Sequence, residues 1–248
     1  MAKYIGLDWS RNGWFGVILK DDGQHESDLF PSILNVWSAH SDAERILIDI
    51  PIGLSDNGTR VCDKKAYEFL KPDRHNSVFS TPIRDAVYSK SLAEAKALNE
   101  ESGFSITNQA WSICPRIREV DEFFDEFLNA IGTLRESHPE VCFAALNDRD
   151  PIEDGKKTEE GLKKRKEVLF EADEQLEAVY EDAVETFIEP PQWARRLSKN
   201  AKDDVLNALV LAHTARHDDE ELATLPEAPE KDASKEEPLP MEMVYPSP

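Results

Sequence analysis

Residues 4–19 read YIGLDWSRNGWFGVIL: two apolar runs parted by a short polar turn, with Asp8 closing the first run. That spacing predicts two strands, Tyr4–Asp8 and Gly13–Leu19, joined by the tight connection Trp9–Asn12. A weaker third strand is expected at Gln24–Phe30 after the turn Asp21–Gly23, so the chain should open as an antiparallel meander. Ser32–His40 reads as a helix because Ile33, Val36 and Trp37 fall on one face. Arg45–Ile50 (RILIDI) is then a buried strand that contains Asp49 and is stopped by Pro51. The order βββαβ predicts an α/β fold whose first and fourth strands are parallel neighbours. Their carboxyl ends would set Asp8 and Asp49 side by side.

Helices are expected to dominate the middle of the chain. Arg60–Leu70 is amphipathic, Ser91 and Glu94 form a capping box opening a helix to about Glu101, and Pro115 suits the first turn of a helix ending near Leu128. Strand character is expected to return at Leu134–Leu146, around HPEVCF, which would put Glu140 on a strand. A basic loop with Gly155, Lys156 and Lys157 leads into helices near Glu159–Leu169 and Asp173–Thr186. A last helix, Lys202–Arg216, begins with Asp203 and Asp204. From His217 onward, 32 residues hold 10 Asp or Glu, 2 Lys and 6 Pro. Such a composition predicts an acidic, Pro-rich disordered tail at 217–248, whose end, PLPMEMVYPSP, would suit docking to a protein partner. The body is then one domain, 1–216, with a helical insertion at about 60–130.

The 248 residues carry 50 acidic and 29 basic side chains, a formal net charge of −21. Without the tail the body still carries −13, so the acidity belongs to the fold as well. This balance argues against a generic nucleic-acid binder with a basic footprint. Acid excess spread over a whole chain is what a halophilic protein, working in molar salt, would need for solubility; the plainer alternative is an acidic mesophilic protein. Cys62, Cys114 and Cys142 are odd in number and far apart, which excludes a disulfide framework and a CxxC-type zinc site. No run of 18 apolar residues exists, and the N-terminus enters a strand without a basic-then-apolar leader, so a cytoplasmic protein with no membrane partner is expected.

An acid at the end of a buried strand costs several kcal/mol unless it is paired, hydrogen-bonded or bound to a metal. Asp8, Asp49, Glu140 and either Asp203 or Asp204 stand in such places. Each has a plain alternative: a turn cap, a pair with a buried Arg, a helix N-cap. Two neighbouring carboxylates repel unless a cation neutralises them, and all-oxygen ligands suit Mg²⁺ or Mn²⁺. Such ions activate water for phosphodiester hydrolysis. Taken together, the acids point to a metal site.

The segments GLDWSRNGWFGV, LIDIPIGL, RVCDKKAYEFL, SVFSTPIRDAV, WSICPRIREVD, ESHPEVCF, GLKKRKEVL and KDDVLNALVLAHTA run in order from about residue 4 to 216. The chain resembles, over nearly its whole body, the domain-of-unknown-function family 429, described as predicted RNase H-like nucleases. The resemblance implies an RNase H-like mixed sheet, three antiparallel strands followed by parallel ones, flanked by helices. It also implies Asp8 as first-strand metal ligand, Asp49 as the fourth-strand carboxylate and Asp204 as the final-helix ligand. KDDVLNAL is similar to the D-x-x-D-A-L helix of RuvC-type resolvases but has Asn207 at the second acid, and Glu140 could supply the missing carboxylate. The implied activity is a Mg²⁺- or Mn²⁺-dependent nuclease acting on nucleic acid. Arg74 and Lys157 are the first candidates for phosphate contact, and Trp9 for base stacking. Two other readings stay open. One is a non-catalytic interaction protein, which Asn207 and the low basic content favour. The other is a nucleotide-binding phosphotransferase, which lacks its phosphate-binding glycine turns here.

Overall fold

A computed structural model describes residues 1–247. The meander forms as expected: β1 (Lys3–Ser10), β2 (Gly13–Lys20) and β3 (His25–Phe30), followed by α1 (Ile33–His40) and β4 (Arg45–Ile48). Four helices come next: α2 (Val61–Phe69), the short α3 (Arg84–Val87), α4 (Leu92–Glu101) and α5 (Asn108–Glu126). The chain re-enters the sheet as β5 (Leu134–Glu136). It then runs through α6 (Pro139–Leu146), α7 (Glu159–Ala172), α8 (Gln175–Phe187) and α9 (Lys202–Ala215) to β6 (Leu222–Asp232) and β7 (Leu239–Pro246).

The main sheet has the order β3-β2-β1-β4-β5. β1 lies at its centre, antiparallel to β2 and parallel to β4, and β5 extends the sheet parallel to β4. Both faces are covered, and the two-residue period of a strand sorts the side chains between them. Ile5, Leu7, Ile18, Ile46 and Ile48 pack with α1 and α5 through Val36, Trp37, Ile117 and Phe124. Phe15, Val17, Leu19 and Leu47 pack on the other side with α6, α8 and α9. By the same alternation Gly6, Asp8 and Asp49 belong to the face that meets α9.

That helix comes very close. A Cβ on Gly6 would stand 2.0 Å from the Ala208 carbonyl oxygen and 2.3 Å from the Ala212 nitrogen. Only a glycine on the strand, opposite a stripe of alanines on the helix, lets the backbones meet at this distance. The contact fixes which turn of α9 lies over the carboxyl end of β1.

Three expectations are corrected. HPEVCF is not strand: β5 ends at Glu136 and Pro139 takes the first position of α6, where its missing N–H is no loss. Its apolar run is buried as helix, a state that periodicity over so short a stretch does not distinguish from strand. Pro115 does not open a helix but lies inside α5, which starts seven residues earlier behind the Thr107 cap. The segment from His217 is not a disordered tail. β6 and β7 pair as a hairpin, and Leu239, Met241, Met243, Val244 and Tyr245 are buried. Ser137 donates to the Val244 carbonyl at 2.6 Å, and Arg135 pairs with Glu242 at 2.7 Å. The expectation also covered Pro248, which lies outside the described residues. No helix among the described residues is long and apolar enough to cross a membrane.

Candidate active site

Leu7 and Ile48 are partners in the parallel pairing of β1 with β4, and the Asp49 amide donates to the Leu7 carbonyl at 3.0 Å. Asp8 and Asp49 are therefore the next side chains along two adjacent strands, both on the α9 side. From α9, Asn207 Nδ2 donates to Asp8 Oδ2 at 3.2 Å. Asp204 lies three residues earlier on the same helix face, where the nearby Ser10 side chain pulls its pKa down. Burial, then the charges of Asp49 and Asp204, push the Asp8 carboxyl well above the usual carboxylate range, against the pull of Lys156 and the Asn207 bond. Burial and the neighbouring Asp203 raise Asp204 to about 6. Of the two aspartates that open α9, Asp203 is buried and Asp204 is half-buried, with its charge acting on Asp8.

The counter-charge is Lys156. Its ammonium is held above its ordinary pKa by Asp8, Asp49, Asp203 and Glu140, although burial works the other way. The loop that carries it is pinned. Thr158 Oγ1 and the Thr158 amide both donate to the Gly155 carbonyl at 2.9 Å, and a Cβ on Gly161 would meet that carbonyl at 2.1 Å. Lys157, the expected phosphate contact, is exposed and lies outside the cavity lining; its neighbour takes the inward position.

Glu140 is corrected more sharply. It sits on the first turn of α6, not on a strand, and Arg165 grips it with bonds of 2.9 Å to Oε1 and 2.7 Å to Oε2. Burial pulls its pKa up, but Arg165, then Arg74 and His138, hold it below the usual range. Its carboxylate is thus paired with a buried guanidinium rather than standing free.

Asp8, Asp49, Asn207 and Lys156 line a cavity of about 380 Å³, while Asp204 stands outside its lining and reaches the site through its charge on Asp8. Arg74 and the strip Asn76–Phe79 with Thr81 make one wall, Gln109 and Ile113 of α5 a second, and His138 to Glu140 a third. Met243 of the hairpin closes the edge, so the segment expected to be a free tail is part of the site. Trp9 also lines the cavity, with the Arg116 guanidinium 4.4 Å from its ring centre.

A buried brace beneath the cavity escaped the sequence reading. Arg60, 1% exposed, bonds Asp63 at 2.6 Å and Glu136 at 2.8 Å, while Glu136 Oε2 accepts from the Ile52 amide at 2.7 Å. Asp63 in turn accepts from the Thr81 amide at 2.8 Å. Burial raises Glu136 to about 7 despite Arg60. The brace ties the segment after Asp49 to the wall that holds Thr81. Its only trace in sequence is the i,i+3 pair in RVCD, which an ordinary surface helix shows equally often.

Among the described residues no group of three or more His, Cys, Asp or Glu is gathered closely enough to hold a metal ion alone. Mg²⁺, however, is commonly bound by one or two carboxylates plus substrate phosphates, without a full protein cage. Asp8 and Asp49 are two such carboxylates, and the burial and neighbouring charge that raise Asp8 are what a divalent cation would offset.

A family model described as "Protein of unknown function (DUF429)" matches residues 6–231. No curated protein and no solved structure matches the chain.

Proposed function

The chain belongs to the DUF429 family, and we propose that it is a divalent-metal-dependent phosphodiesterase that acts on nucleic acid through an RNase H-like fold. The observation that carries this reading is the placement of Asp8 and Asp49 at the carboxyl ends of two paired parallel strands, with Asp204 on α9 raising the Asp8 pKa. The strand order β3-β2-β1-β4-β5, with its first three strands antiparallel, supports the fold assignment.

Asp8 and Asp49 would hold Mg²⁺ or Mn²⁺, which supplies Lewis-acid polarisation of the phosphate and a lowered pKa for water. The remaining chemistry belongs to the chain. Asp204 would bring the final-helix carboxylate to the same site, its charge acting on Asp8 from α9. Asn207 holds Asp8 Oδ2 and leaves its other oxygen free to bind. Lys156 brings a positive charge to where negative charge grows on the phosphate oxygens.

One observation favours the non-catalytic alternative: Lys156 already compensates the carboxylates without a metal. Cleavage of labelled RNA, single-stranded DNA, hybrid and junction substrates with Mn²⁺, beside Asp8→Asn, separates the two. Cleavage lost in the variant is expected. A folded wild type that cleaves nothing across 0.1–3 M KCl would leave the interaction protein.

A further inference from the structure

The cavity lining includes polar groups that the carboxylate chemistry does not use. Three buried side-chain atoms among them have no hydrogen-bond partner: Arg74 Nε, Thr81 Oγ1 and His138 Nδ1. Arg74 Nε lies 3.4 Å from Glu140 Oε2, close enough for an ion pair but without hydrogen-bond geometry. Thr81 is 1% exposed, its amide donates to Asp63, and its hydroxyl has no partner. A buried polar group without a partner carries an uncompensated desolvation cost. Three of them in one cavity mark a place where a ligand completes the bonding. A guanidinium and a hydroxyl together suit a phosphate group, whereas His138, whose Nε2 faces the Ser77 carbonyl at 3.4 Å, presents Nδ1 as an acceptor for an N–H or O–H of the same ligand.

The size of the space restricts what carries that phosphate. A volume of about 380 Å³ lies at the lower end of small-molecule sites, which run from roughly 300 to 1,000 Å³. A duplex presents one negative charge per ~1.7 Å of its axis and needs a cationic track to match. This cavity offers Arg74 and Lys156 beyond the neutralised Arg60, in a chain of net charge −21. Trp9, Phe79 and Ile113 add an apolar side of the kind that receives a nucleobase.

We infer that the cavity is a subsite for one phosphorylated nucleotide unit, its phosphate held by Arg74 and Thr81 and a donor group of the same unit by His138, so that the chain takes strand ends or free nucleotides rather than internal bonds of a duplex. This rests on the nuclease reading for its chemistry but not for its binding, and the two can fail separately.

The test is calorimetric titration of the full chain with adenosine 5′-monophosphate and with a 5′-phosphorylated tetranucleotide, for wild type, Arg74→Ala and Thr81→Val. Linear and circular single strands of one sequence are compared for cleavage. At least tenfold weaker binding in both variants is expected, with the linear strand cleaved and the circle spared. A preference for the mononucleotide identifies a free nucleotide as the ligand, and a preference for the tetranucleotide a strand end; either supports the subsite. Binding that Arg74→Ala and Thr81→Val leave unchanged, or no binding of either ligand to folded wild type, overturns it. Equal cleavage of the circle also overturns it while the nuclease reading stands. Arg74-dependent binding without any cleavage would uphold the subsite and defeat the nuclease.

Discussion

Gly6 and Asp8 stand two residues apart on one face of β1 and carry opposite demands. Gly6 is there for closeness: with α9 backbone 2.0 Å from any added Cβ, Gly6→Ala must push the helix away. The expected loss is about 3 kcal/mol or more, read as a lower Tm by calorimetry. Asp8 and Asp204 instead cost stability where they are. A carboxyl raised on folding takes up protons as the chain folds, so its contribution is full below the unfolded pKa and is lost as pH rises through the folded one. For Asp204 that window runs from about 4 to 6. Asp204→Asn should therefore gain about 2–3 kcal/mol at pH 8 and nothing at pH 3, in urea melts at the two values. A stability loss at pH 8 would mark Asp204 as a structural acid.

At the scale of elements, α6 and the C-terminal hairpin show where sequence reading stops. Asp8, Asp49 and Asp204 were legible because each interrupts an apolar pattern on a well-defined strand or helix. Glu140 was legible as unusual but not as to its role, because its partner Arg165 lies on α7, 25 residues on, within an otherwise solvated basic run. The hairpin was hidden by averaging. Charged and proline residues run all through it, yet Leu239, Met241, Met243 and Tyr245 alternate along β7 and are buried against a body that already exists. Ordering such a segment is offset by docking, which composition alone does not weigh.

Two variants test these assignments. Asp232 accepts from the Leu54 amide at 2.9 Å, from Ser234 Oγ at 2.6 Å and from Arg84, so Asp232→Ala should cost about 3 kcal/mol in urea melts. A near-neutral result would mean the hairpin is not docked. Glu140→Ala strands Arg165, which is fully buried, and should cost about 3–5 kcal/mol. The Mn²⁺ affinity of the folded variant should stay within about twofold, given that its carboxylate is already paired; a tenfold loss would restore Glu140 as a ligand.

At the scale of the molecule, the charge of −21 is the dominant fact. Some of it is compensated where the hairpin meets the body: Lys235 reaches Asp121 at 3.0 Å and Asp125 at 2.8 Å, and Arg45 pairs with Asp219. The rest repels itself across the surface, and salt shortens that repulsion from a range of ~10 Å at 0.1 M to ~3 Å at 1 M. The Tm should rise by several degrees between 0.1 and 2 M KCl in scanning calorimetry. A flat or falling Tm would remove the case for a protein adapted to high salt.

The same repulsion, concentrated at one point, is the centre of the functional reading: Asp8 and Asp49 lie side by side at adjoining strand ends, with Lys156 as the positive charge that acts on Asp8. Calorimetric titration of wild type and Asp8→Asn with Mn²⁺ tests this most directly. The expected result is saturable binding by the wild type that falls at least tenfold in the variant, while the folded variant melts no lower. Equal binding by both, or none by a folded wild type, would contradict a carboxylate-held metal.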